Sequence, residues 1–202
     1  MPKLGMEPIR RRQLIEATVA AIHEQGLAEA TVKQISARAG VSSGIIHHYF
    51  GGKDALLAAT MRAMLRDLRR EVNTRLATAQ TPEARLEAVI EASFSIDQFS
   101  GAVQTAWLSF WAQTPHSPSL ARLARLYLRR LRSTLRHALR GVIADEAAVE
   151  EAADGLAAII DGLWLTAAVA PRSIDPAAAR RIAWNYVRAQ IALAERDGIQ
   201  GS

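Results

Sequence analysis

Apolar residues recur along this chain at intervals of three and four, with no sustained alternation, so the pattern predicts helices and no strands. The first helix is expected over 8–25, with Ile15, Val19 and Ile22 on one face and Gly26 ending it. Two short helices follow over 32–39 and 43–49. A long one spans 53–79 with Leu56, Leu57, Met61, Met64, Leu65 and Leu68 on its inner side. Five more are expected over 82–98, 102–114, 118–140, 146–169 and 176–195, with 198–202 frayed. Three of these starts pair a capping side chain with proline at the first helical position: Thr81-Pro82, Ser117-Pro118 and Asp175-Pro176. Proline loses nothing there, because its absent N–H had no partner in the helix and its φ is already helical. Glu7-Pro8 is expected to open the first helix in a related way, and Asp145, after Gly141, to cap the eighth. The fold class read from this pattern is all-α, with about nine helices and no internal repeat.

Composition narrows the picture. Half of the 202 residues are hydrophobic, enough for a sizeable core, and the formal charge of +5 suits a polyanionic partner. With no cysteine, disulfides, thiolate metal sites and cysteine nucleophiles are excluded. The first eight residues hold no apolar run of signal type. The most hydrophobic stretch, 156–170, is interrupted by Asp161 and reads as too short to cross a bilayer. The expected location is the cytoplasm, with no membrane partner.

Residues 31–50 carry the densest signal. Thr31 is followed three residues on by Gln34, a capping-box spacing, and Val32, Ile35 and Ala39 form the inner face of a short helix. Gly40 permits the positive φ of a sharp turn. Val41 fills the corner, Ser42 is placed to cap the next helix, and Ile46 and Phe50 are expected to turn inward. Two short helices joined by a glycine turn form the helix-turn-helix pattern, whose second helix enters the DNA major groove. There is no acidic residue from Ala30 to Lys53, while Lys33, Arg38 and Lys53 are present and Arg10, Arg11 and Arg12 lie upstream. Cationic side chains neutralise phosphates and give affinity without sequence information. A solvated helical hairpin would show the same spacing.

Residues 9–57 resemble the DNA-binding domain of TetR-family regulators. The resemblance rests on Thr31, Ile35, Ser36, Ala39-Gly40-Val41-Ser42, Gly44, His47, Tyr49-Phe50, Lys53-Asp54 and Leu56, with His47 standing where the family usually has tyrosine. It implies that residues 1–52 form the DNA-binding domain and that Thr31 and Lys53 hold phosphates. It implies further that Ser43, Ile45, His47, His48 and Tyr49 face the groove, with Ser42 and the small Gly44 allowing close approach. Ile45 would meet a thymine methyl. His47 and His48, adjacent on a helix, point apart and make no joint metal site.

Residues 53–197 are then expected to form a ligand-binding and dimerisation domain, connected to the first by the helix over 53–79. Trp107, Phe110 and Trp111 lie close on one helix; Phe94 and Asp97 are three apart, as are Asp161 and Trp164. An acid beside an indole on an apolar helix is costly if buried without a partner, and a cation held over aromatic faces would be one such partner. Tryptophans serving only as core, with solvated aspartates, would give the same spacing. The segments Met1–Met6, Ile9–Ile15, Ala106-Trp107-Leu108, Phe110-Trp111-Ala112, Asp154–Ala158 and Ile160–Leu165 are similar to the branch of the family that represses glycine-betaine synthesis in response to choline. That similarity implies choline as effector, no cofactor and a palindromic double-stranded operator. Gly155, Ala158 and Gly162, with Trp184, Val187 and Ile191 on the last helix, are expected to form the interface of a homodimer, matching twofold DNA half-sites. An alternative of the same architecture is a sensor of another cationic or lipophilic molecule. A helical-bundle enzyme is opposed by the sequence: no histidine has Glu three positions earlier, and no phosphate loop or Gly-x-Ser-x-Gly elbow is present.

Overall fold

The structure is a computed structural model that describes residues 6–170 and 172–200, with side chains to 196; the opening residues 1–5, quoted above for their similarity, lie outside it. Among the described residues the fold is all-α, with nine helices: α1 (Met6–Glu29), α2 (Val32–Arg38), α3 (Ser43–Phe50), α4 (Lys53–Leu76), α5 (Pro82–Ser93), α6 (Gly101–Gln113), α7 (Pro118–Leu139), α8 (Glu146–Val169) and α9 (Pro176–Gln200). They fall into two compact units. One comprises the chain to Arg66 together with Gly101–Ala124; the other comprises Asp67–Ser100 and the chain from Arg125 onward.

In the first unit the expected breaks occur where the chemistry requires them. Gly26 leaves the helical region at φ 80°, ψ 162°, so α1 kinks there, and Lys53 Nζ donates to the Leu27 carbonyl just beyond at 3.3 Å. Thr31 closes a complete capping box on Gln34, and Gly40 turns the chain with φ 65°. Leu14, Ile22, Ile35, Ile46, Leu56 and Met61 are fully buried. The N-terminal end of α6 is joined to α1: Thr105 Oγ1 donates to the Gly101 carbonyl and meets His23 Nδ1 at 3.1 Å.

The second unit is organised by α8. Its inward face, from Val149 through Leu156, Ile160 and Trp164 to Ala167, is buried. Its outer edge carries Glu146, which bonds to Arg140 just past the end of α7, and Glu150 and Asp154, which bond to Arg136 and Arg132 within it, so the pairs run in antiparallel order. By length and composition α8 would be able to cross a membrane; here one of its faces is core, and Glu146, Glu150 and Asp154 on its outer edge are paired with arginines. Asp145 and Asp175 cap α8 and α9 through the N–H groups of Ala148 and Ala178, both at 2.7 Å.

Several ends differ from expectation. α1 begins at Met6, so Pro8 lies inside its first turn instead of opening it, and α4 stops at Leu76 instead of reaching 79. The helix expected over 82–98 stops at Ser93, and two of the carbonyls left free at its end are taken by distant side chains. Trp164 Nε1 donates to the Ser93 carbonyl at 3.0 Å, and Arg180 Nη1 to that of Phe94, also at 3.0 Å. The last helix continues to Gln200, past the fraying expected from residue 198.

At Gly155, α8 and α9 approach so closely that a Cβ would fall 1.9 Å from the Tyr186 hydroxyl oxygen and 2.7 Å from its ring. A side chain at Gly155 would therefore have to displace the Tyr186 ring within the same chain. Gly155→Ala is expected to destabilise the protein by about 1–3 kcal/mol, the usual range for overpacking; an unchanged urea midpoint would mean that the Tyr186 ring moves aside without cost.

Candidate functional site

Two groups of side chains stand out, one in each unit. In the first unit, α3 buries Ile46 completely and keeps Phe50 half-buried, so the opposite side of the helix faces solvent. Ser42, Ser43, Gly44, His47 and His48 are exposed, and Ile45 and Tyr49 are half-exposed. Gly44 is open: a Cβ there would meet only the Ser42 hydroxyl, at 4.0 Å. All of the side chains expected to face a groove thus lie on or beside one accessible surface.

Ser42 departs from its expected role as a cap. Its side chain makes no bond to the α3 backbone, whose first turn carries no acidic residue. Instead the neighbouring Ser43 hydroxyl lies 3.1 Å from that of the buried Ser36, which joins α2 to α3. Thr31 is exposed, its hydroxyl engaged with Gln34, and Lys53 is half-buried with its ammonium on Leu27. Over the last turn of α3 lies a residue the sequence assigned only to the general basic character, Arg11. Its guanidinium carbon is 4.9 Å from the centroid of the Phe50 ring and 5.7 Å from that of Tyr49.

The second group is aromatic and acidic. Phe94 and Trp164 are both brought against Phe99, edge to face, with ring centroids 5.6 and 5.8 Å from it. Trp164 has its indole N–H committed to Ser93. One turn before it on α8, Asp161 accepts a hydrogen bond from the Tyr127 hydroxyl at 2.9 Å. Burial pushes the Asp161 carboxyl above its ordinary value; the Tyr127 bond and the charge of Arg132 pull the other way without cancelling it. Burial, then the Asp161 charge, raises the Tyr127 phenol well above its usual range, so it remains a neutral donor. Gln98, 9% exposed, keeps its Oε1 buried with no hydrogen-bond partner among the described residues.

The aromatic cage read from the sequence is not brought together within either unit. Trp107, Phe110 and Trp111 belong to the first, where the two indoles tilt against each other at 6.0 Å; Phe94, Asp97, Asp161 and Trp164 belong to the second. Asp97, exposed on the link after α5, is a solvated charge, whereas Asp161 is half-buried. Phe99, Tyr127 and Gln98 were missed. Tyr127 was detectable, since it falls in the inward stripe of α7 with Leu120, Leu131 and Leu135, where a hydroxyl needs a partner. Phe99 was hidden by the overextended helix, and nothing in the sequence marked Gln98.

Of the residues expected at a dimer interface, Val187 is 1% exposed and packs inside its own chain, and Gly155 serves Tyr186. Trp184 and Ile191 are half-exposed, while Ala158 and Gly162 are exposed, with nothing near Gly162. Alongside them Leu165, Val169, Ile182 and Leu193 are 44, 63, 43 and 50% exposed. The first two of these continue the stripe of Ala158 and Gly162 along α8.

Comparison with known proteins identifies the family. Residues 14–60 match the family described as bacterial regulatory proteins of the tetR family, and residues 82–192 the family described as BetI-type transcriptional repressor, C-terminal. The chain is 51% identical over 189 residues to the HTH-type transcriptional regulator BetI 2 of Chromohalobacter salexigens, covering 93% of this chain and 91% of that protein. It is 49% identical to BetI of Cronobacter sakazakii, covering 95 and 96%. Among solved structures, a transcriptional regulator of Pseudomonas aeruginosa superposes with a TM-score of 0.82 at 33% identity, covering 96% of each chain. A transcriptional regulator of Saccharomonospora viridis solved in complex with choline superposes with a TM-score of 0.76 at 19% identity, covering 90 and 96%, a likeness of fold alone. The chain is a non-enzymatic, DNA-binding helix-turn-helix regulator and belongs to the TetR family, among its BetI-type repressors.

Proposed function

We propose that this protein represses choline-to-glycine-betaine genes and responds to choline, bound in the second unit. The observation that carries this reading is Asp161, a carboxylate half-buried one turn from Trp164 and bonded only by a neutral phenol. A desolvated anion on an apolar helix is offset by a cation, and a quaternary ammonium, which has no N–H to satisfy, is suited to aromatic surroundings such as those of Trp164, Phe94 and Phe99. Choline also carries one hydroxyl, and the Gln98 oxygen is a buried acceptor that lacks a donor. Betaine carries a carboxylate in place of the hydroxymethyl group of choline, which both Asp161 and the Gln98 oxygen would repel. The similarity to choline-responsive repressors supports the same effector.

In this reading residues 1–52 read DNA through Ser42, Ser43, Gly44, Ile45, His47, His48 and Tyr49, with Thr31 and Lys53 turning to phosphates on binding. Residues 53–197 sense and dimerise, and the protein works in the cytoplasm on a palindromic operator. The dimer forms through the exposed stripe of Ala158, Gly162, Leu165 and Val169 on α8 with Ile182, Trp184, Ile191 and Leu193 on α9.

Calorimetry tests the effector. Choline should bind about tenfold or more tightly than tetramethylammonium, which lacks the hydroxyl, and betaine more weakly still; Gln98→Leu should bring choline down to tetramethylammonium, the loss expected when one buried hydrogen bond is removed. Absence of binding by either cation at millimolar concentration would overturn the choline reading.

Asp161→Asn separates function from stability. The folded carboxyl holds its proton more tightly than the unfolded chain does, so the stability tied to this group is complete below the unfolded value and falls as pH rises through the folded one. The asparagine variant escapes that loss. Its melting temperature should exceed the wild type's at pH 7, with the gap closing near about pH 4, the ordinary range of aspartate, while choline affinity falls. A variant less stable at pH 7 would show that the carboxylate is structural.

The dimer is tested by Leu165→Glu, which puts a charge on the exposed stripe and should give a folded monomer in sedimentation at micromolar concentration. A variant that remains dimeric would place the interface elsewhere.

A further inference from the structure

The geometry points to Arg11 as a positioning residue for DNA reading: its guanidinium, held by Glu7 and laid over Tyr49 and Phe50, fixes the C-terminal turn of the recognition helix against α1. The inference rests on α3 being the reading helix, with Tyr49 on its reading surface.

α3 is poorly anchored by its own resources. It has eight residues, fully buries Ile46 alone and lacks a side-chain cap at its start. Its far end closes at Gly51 in the left-handed conformation, φ 82°, with the Gly51 N–H on the His47 carbonyl. What holds that end from outside is α1. Arg11 Nε donates to Glu7 Oε1, one turn earlier on α1, at 2.8 Å. With that edge of the guanidinium fixed, the group stands 4.9 Å from the Phe50 centroid and 5.7 Å from that of Tyr49. The Tyr49 ring is also 5.2 Å from His48 at 45°. Glu7, Arg11, Tyr49 and His48 thus form one continuous contact, from the first turn of α1 to the reading surface.

A guanidinium suits this place for two reasons. It is planar and weakly hydrated, so it lies over rings while one N–H remains bonded to a carboxylate, which an ammonium does not reproduce. It is also a cation at a helix C-terminus, where the dipole favours positive charge. A simpler role for Arg11 is that of a phosphate contact, as its neighbours Arg10 and Arg12 suggest. The two roles separate experimentally. A phosphate contact contributes about equally to every DNA sequence and to the salt slope; a residue that orders the reading surface contributes to the operator alone.

The test uses full-length protein with Arg11→Lys, Arg11→Ala and Glu7→Gln. Each is titrated at several salt concentrations with an operator duplex, obtained by selecting a random-sequence pool with the wild-type protein, and with a scrambled duplex of equal length. Thermal denaturation of each variant accompanies the titrations. Arg11→Lys keeps the charge and loses the stacking, so its operator affinity should fall about three- to thirtyfold, the range of a cation–π contact. Its affinity for scrambled DNA and its salt slope should stay at the wild-type values. Glu7→Gln should lose operator affinity in the same selective way, by a smaller factor. Wild-type binding by Arg11→Lys, or a loss shared equally by both duplexes, would overturn the inference. So would a selective loss matched by a fall in melting temperature that Arg11→Lys and Glu7→Gln do not share. Should Arg11→Ala fail to fold, the lysine and glutamine variants decide the question.

Discussion

A helix ends with carbonyls that nothing within it can satisfy, and in this protein the end of α5 is where that constraint builds an aromatic cluster. Trp164 and Arg180, from α8 and α9, take the carbonyls of Ser93 and Phe94. Glu91 then pairs with Arg180 Nε at 3.1 Å, so the same arginine is held from two sides. Because the chain leaves the helix there, Phe99, whose N–H bonds to the Ser95 carbonyl at 2.8 Å, comes back to lie beside Phe94 and Trp164. Had α5 run on through residue 99, Phe94 and Phe99 would stand on one helix about 140° apart (five steps of 100°), and no common box could form. Trp164 is left with a single chemistry to offer, that of its ring, since its N–H is spent on the backbone.

The carboxylates of the second unit are treated in two different ways, and the contrast gives Asp161 its meaning. Glu146, Glu150 and Asp154 meet arginines in and just past α7 at the surface, where such pairs contribute little each but set how α7 and α8 run alongside one another. Asp161 is on the same helix, further along and deeper, and meets a phenol instead of a guanidinium. A phenol fixes the carboxylate's orientation without neutralising it, and burial raises the free energy of its charged form. Asp161 is therefore an oriented carboxylate one turn from Trp164 on α8, for which the Tyr127 bond and the charge of Arg132 only partly offset burial.

What could be read from the sequence was local. Thr31 with Gln34, Gly40, Asp145 and Asp175 act within three or four residues of themselves, and the structure gives each its expected turn or cap. Ile46 and Ile35 turned inward as their spacing required. Some misreadings were local, as with Ser42, which leaves α3 uncapped; those in the second unit came from interactions over long separations. The end of α5 bonds to residues 71 and 86 positions away, and the Asp161 partner is 34 away. Val187 shows a different limit: helical periodicity identifies an apolar face but not whether its own chain or a second one covers it. Gly155 and Gly162, equal in the sequence, separate for the same reason, one filled by Tyr186 and the other open.

The first unit has a mechanical order that follows from α1. This helix carries Arg11 near its beginning, over the last turn of α3, and His23 near its kink, against Thr105 of α6. Arg11 and His23 are 12 residues apart on one helix, about 18 Å at 1.5 Å per residue. A straight helix of that length is stiff, so a displacement applied at its His23 end reaches the Arg11 end as a tilt instead of being absorbed on the way. α6 is the helix that bears Trp107 and Trp111. A ligand changes DNA affinity only to the extent that it prefers one arrangement of such elements over another. Thr105 is thus tied to His23 near one end of α1, and Tyr49 and Phe50 lie by Arg11 near the other, so α6 and α3 are both seated on the same helix.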